Sequence, residues 1–116
     1  MAGDWLKVEK ATPDKSEIRH IARQCSVGVA EAFASWFRLW CYFDSETSTG
    51  ELQFLTPHDC DDIGRLKGLG DALQSCRWLE FDAGGARVLN WDRHNGKSAK
   101  RRATETRRKK ASREKS

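Results

Sequence analysis

The sequence predicts an α+β protein, mostly helical, that closes on a β-hairpin and a basic tail. Three observations carry that prediction. Apolar residues recur at spacings of three and four through residues 27–43, the period of a helix face. Two alternating runs near the end flank Gly84-Gly85, a hairpin signal. Large apolar residues then stop at Trp91, and the remaining chain is dominated by Lys and Arg.

The elements follow in order. Trp5-Leu6-Lys7-Val8 reads as a short strand or an apolar arm, its alternation being too brief to decide. Asp14 stands three residues before Glu17, the spacing of a capping box, and predicts a helix over 15–24 with Ile18, Ile21 and Ala22 inside. The long helix over 27–43 carries Val29, Phe33, Trp36, Trp40 and Phe43, widened by Ala30, Ala32 and Phe37. So broad a stripe predicts a central helix packed on two sides. Residues 51–55 alternate and predict a strand. Thr56-Pro57-His58-Asp59 supplies an N-cap, a first-turn proline and a first-turn acid, and starts a short helix ending near 64–68. A turn at Gly68-Leu69-Gly70 leads to a fourth helix over 69–77 that buries Leu69, Leu73 and Cys76. Strands over 78–82 and 86–90 complete the hairpin, with glycine at its tip because glycine accepts positive φ.

Charge divides the chain more sharply than hydropathy. Residues 97–116 hold ten Lys or Arg against two Glu, a net of +8, whereas residues 1–96 hold eleven basic and fifteen acidic residues, a net of −4. The expectation is a domain at 1–96 followed by a basic tail at 97–116, disordered or helical. A dense cationic segment attracts polyanions by counterion release, which points to nucleic acid. No run approaches the roughly 18 apolar residues of a membrane span, and the N-terminus lacks a basic region followed by an apolar run. An intracellular protein without membrane contact is expected. Cys25, Cys41, Cys60 and Cys76 are widely spaced with no C-x-x-C pair, so they read as reduced core thiols rather than metal ligands. Neither a metal nor a cofactor is expected.

Short helix, tight turn, second helix and β-hairpin is the order of a winged helix-turn-helix, here with two helices ahead of it. In that arrangement the helix after the turn enters the major groove and the hairpin approaches the flanking backbone. The outward face of 69–77 would carry Asp71, Gln74, Ser75 and Arg77, with Lys67 in the preceding turn. Gln and Arg suit base edges and Lys suits phosphate. The candidate DNA contacts are therefore Lys67, Gln74, Ser75 and Arg77, with Arg87 on the hairpin and Arg93 after it. The tail adds Lys97, Lys100, Arg101, Arg102, Arg107, Arg108, Lys109 and Lys110.

The chain also resembles the winged-helix N-terminal domains of bacteriophage and prophage replication-initiation proteins of the primosomal, helicase-loader type. Four stretches carry the likeness: Trp5-Leu6-Lys7-Val8 with the start at Pro13, the Leu39-Trp40 pair, Ala72-Leu73-Gln74-Ser75-Cys76-Arg77-Trp78-Leu79, and Asn90-Trp91-Asp92-Arg93-His94-Asn95-Gly96-Lys97 running on to Arg102. The resemblance implies binding of double-stranded DNA at an origin or fork, contact with a helicase or its loader, and the cytoplasm of a bacterial host. Family members often carry a further C-terminal domain for the protein contact.

Other classes are weaker or open. An enzyme is not expected, since there is no P-loop and no nucleophile–base spacing stands out. The clustered Asp59, Asp61 and Asp62 fit a helix N-terminal half, where the helix dipole favours acids. A winged-helix transcriptional regulator is one alternative, because fold does not settle function. A protein-interaction module using the acidic 1–96 domain is another. Single-stranded DNA becomes a target if Trp5 or Trp91 is exposed, through base stacking.

Overall fold

The computed structural model describes residues 5–91. After a 3-10 turn at Thr12–Asp14, the chain forms α1 (Ser16–Cys25), α2 (Val29–Glu46), β1 (Glu51–Gln53), α3 (Pro57–Gly64), α4 (Leu69–Ser75), β2 (Leu79–Asp82) and β3 (Gly85–Val88). The three strands make one antiparallel sheet in the order β1-β3-β2. The described residues are thus α+β, with four helices and a small sheet, as expected.

The long second helix is central: α2 packs against α1, α3 and β1. Its buried face is Ala32, Ser35, Trp36, Leu39, Trp40 and Phe43. Three members of the expected stripe fall outside it, since Val29, Ala30 and Phe37 are exposed. The reason is width. A face of Trp36, Leu39, Trp40 and Phe43 already fills the space between α1 and α3, leaving the flanks of the stripe to solvent. Phe37 instead stacks on Phe33, ring centroids 6.4 Å apart. Trp36, Trp40 and Trp78 meet at centroid distances of 5.3–6.1 Å and join the helices to the start of β2.

The core closes at the end of the described chain. Trp91 is buried, with its ring 6.3 Å from Phe43, and packs over Gly50. The last large apolar residue of the sequence is thus part of the core.

Local sequence signals set some element ends and not others. Thr56 forms a full capping box: its hydroxyl accepts from the Asp59 N–H while the Asp59 carboxylate accepts from the Thr56 N–H. The box expected at Asp14 does not form. Asp14 lies in the 3-10 turn, Lys15 is the N-cap of α1, and that N-cap makes no side-chain bond. The expected strand over 51–55 is shorter, because Phe54 turns into the left-handed region at φ 66°. Its N–H still reaches the Gly84 carbonyl at 2.7 Å. The hairpin turn is Ala83-Gly84, and of the glycine pair only Gly85 has positive φ. The Asp82 carboxylate closes that turn by accepting from the Gly84 and Gly85 N–H groups. Among the described residues no helix is long and apolar enough to cross a membrane.

Candidate nucleic-acid interface

The region built from α3, α4 and the hairpin is held by contacts that span the turn. Arg65 ends α3 in the left-handed conformation, φ 59°. Gly68 at φ 90° then starts α4 without a side chain to cap it. The cap comes from upstream. Asp61 on α3 accepts from the N–H of Gly68 at 2.9 Å and from the N–H of Gly70 at 2.8 Å. Asp61 thus serves α4, correcting its reading as a dipole-favoured acid of its own helix. Leu66 is buried between the two helices. At Gly70 the helices touch so closely that a Cβ would lie 2.5 Å from the Pro57 carbonyl oxygen.

This framework decides where the sequence-predicted site residues fall. Lys67 is exposed in the turn, and Gln74 is exposed on α4, on the same face as Asp71. Ser75 is also at the surface but is engaged by α1. In the tautomer protonated at Nε2, His20 donates to the Ser75 hydroxyl at 2.9 Å, and that hydroxyl donates to Gln24 Oε1 at 2.9 Å. Ser75 is a tie between helices. Arg77 is not on α4, which ends at Ser75; it sits in the following turn at φ 64°. There it lines a pocket with Trp78.

The hairpin is less cationic than its single arginine suggests. Arg87 lies between Glu51 on β1 and Glu80 on β2 in the register of the sheet. Its guanidinium bonds the Glu80 carboxylate at 2.6 Å, which holds it above the ordinary arginine value. Asp82 stands on the same exposed edge. Arg93, Lys97, Lys100, Arg101, Arg102, Arg107, Arg108, Lys109 and Lys110 lie outside the described residues.

Two features were not legible in the sequence. One is Arg65, exposed in the α3–α4 turn beside Lys67. The other is α1, which runs antiparallel to α4, with His20 at Ser75 and Cys25 near Gly68, and carries exposed Arg19 and Arg23. Nothing local to α1 announces that neighbour. All four cysteines are free thiols, and only Cys60 is fully buried. Among the described residues no group of His, Cys, Asp or Glu is placed to hold a metal ion. No family model, curated protein or solved structure matches the chain.

Proposed function

We propose that the chain is a DNA-binding winged-helix protein in which α4 is presented to the major groove and the basic tail neutralises phosphates. One observation carries the reading: α3, a tight turn and α4 run directly into the β2–β3 hairpin of a three-stranded sheet, and a segment of net charge +8 follows in sequence. A helix of seven residues is about 10 Å long at 1.5 Å per residue, short enough to enter a major groove about 12 Å wide end-on or across.

Within this reading Gln74 reads a base edge while Arg65 and Lys67 hold phosphates at the α3–α4 turn. Asp71 opposes the approach, so the cations of the turn and tail supply most of the affinity. The resemblance to phage and prophage replication initiators supports duplex DNA at an origin as the target, with a helicase or its loader as the protein partner.

A second reading has its own support. On the exposed side of the sheet Glu51, Glu80 and Asp82 outnumber Arg87, a charge that phosphates repel and a basic protein groove attracts. Under that reading the domain binds protein through the hairpin.

Anisotropy of a labelled duplex separates the two. In the DNA reading Arg65→Gln with Lys67→Gln weakens binding at least fivefold, and Gln74→Ala flattens preference among duplex sequences. If the full chain holds duplex no better than an unstructured peptide of the same charge, the DNA reading is wrong.

A further inference from the structure

A concave feature beside the aromatic cluster belongs to neither α4 nor the exposed hairpin edge. It is a half-open pocket of about 110 Å³ between the N-terminal arm, α2 and the turn after α4. Trp36, Trp40 and Trp78 form its walls, and Lys7, Lys15 and Arg77 stand around it. Lys15 already lies over the Trp78 ring, 5.9 Å from its centroid.

Three features of this pocket go unused by the fold. Arg77 occupies a left-handed backbone that non-glycine residues adopt rarely and that gathers at ligand sites. Trp36, nine-tenths buried, has an indole N–H without an acceptor, the only such buried side-chain polar atom among the described residues. Among the described residues lining it, three cations gather where a single acid, Glu9, answers them, through Lys15 at 3.4 Å. Aromatic walls and a cationic rim together match a planar ring attached to an anion. This pocket is smaller than the cavity of about 150 Å³ that accepts benzene, but it is half-open, so one ring can sit partly inside it while a base pair cannot.

We propose that the pocket takes one unpaired pyrimidine nucleotide of a DNA strand, its ring against Trp78 and its phosphate on Lys15 and Arg77. The proposal rests on the DNA-binding reading for its choice of anion and adds to it a strand specificity that α4 does not supply. Arg77 stands two residues beyond the end of α4, so the two sites share one connection. The phosphate displaces Glu9 from Lys15, and a small turn of Trp36 offers its N–H to a base carbonyl.

The test follows the five indole N–H signals of the full chain by ¹H–¹⁵N spectroscopy, assigned through single Trp→Phe variants, during titration with pentathymidylate. The expected result is saturable shifts of the Trp36, Trp40 and Trp78 signals. A Lys7→Gln/Lys15→Gln variant, altered at exposed Lys7 and half-buried Lys15 on the rim, should need at least tenfold more oligonucleotide while its duplex affinity stays within twofold. If pentathymidylate binds yet leaves those signals in place, contact is through the tail alone and the proposal fails. It fails equally if the double variant titrates like the parent, or if an acidic phenylalanine-containing peptide moves the signals and pentathymidylate does not. Loss of duplex binding by the parent, with the indole shifts intact, sinks the α4 reading and leaves the pocket standing.

Discussion

Asp59 and Asp61 stand two residues apart on α3 and serve different helices. Asp59 closes the capping box on its own helix, and the Thr56 backbone N–H followed by the Thr56 hydroxyl holds its carboxyl below the ordinary value near 3.9. Because the folded value is lowered, the contribution is present above the ordinary value and is lost as pH falls through the lowered one. Urea midpoints from pH 6 to pH 2 should therefore fall less steeply for Asp59→Ala than for the parent. Parallel curves would mean that the box adds nothing in solution. Cys60 is the opposite case: burial first, then Asp61 and Asp59, push its thiol up to about 12. The thiolate is the reactive species, so at pH 8 Ellman's reagent should leave one thiol untitrated in the native protein. That slow thiol should vanish in Cys60→Ala. Its persistence there would assign the slow site to Cys25 or Cys76, whose thiols burial also raises.

At the scale of the element, α4 is the vulnerable piece. Seven residues are too few for a helix to persist on intrinsic propensity, so its position depends on what grips it. Asp61→Ala removes two charge-assisted bonds from its first turn and should cost about 2–3 kcal/mol in urea unfolding. Asp61→Asn, keeping one acceptor, should cost about half. Gly70→Ala sets a Cβ against backbone atoms of Pro57 at 2.5–2.9 Å, and neither helix can yield by turning a side chain. A loss of about 1–3 kcal/mol is expected, read as a fall in Tm, with duplex affinity falling alongside because α4 is displaced. An unchanged Tm would mean that the helices are not packed this closely. These grips also show where the sequence stops being legible. The Thr56 cap, the α2 stripe and the hairpin were readable because each is decided within a few residues. The Asp61 cap reaches seven and nine residues ahead, and the Ser75 contacts with Gln24 and His20 span 51 and 55 residues. No local pattern announces such bonds, which is why Ser75 looked like a free helix face and Arg77 like its continuation.

At the scale of the whole molecule the charges oppose one another: −4 over residues 1–96 and +8 over residues 97–116. A polyanion approaching the domain meets Asp71, Glu80 and Asp82 as well as Arg65 and Lys67. If the chain binds DNA as proposed, most of the counterion release comes from the tail, and its share can be counted. Each phosphate neutralised on duplex DNA adds about 0.9 to the steepness of log affinity against log salt. Replacing Arg107, Arg108, Lys109 and Lys110 by Gln should reduce that steepness by up to about 3.6 if all four engage phosphate. On the proposed reading, sequence preference measured at a single low salt should remain, because that reading places the base contacts on α4. A slope that stays the same while affinity is kept would place the neutralising cations elsewhere, on the rest of the tail such as Lys97, Lys100, Arg101 and Arg102, or on the domain at Arg65, Lys67, Arg19 and Arg23. A preference lost together with the slope would mean that α4 reads nothing and the tail alone holds DNA.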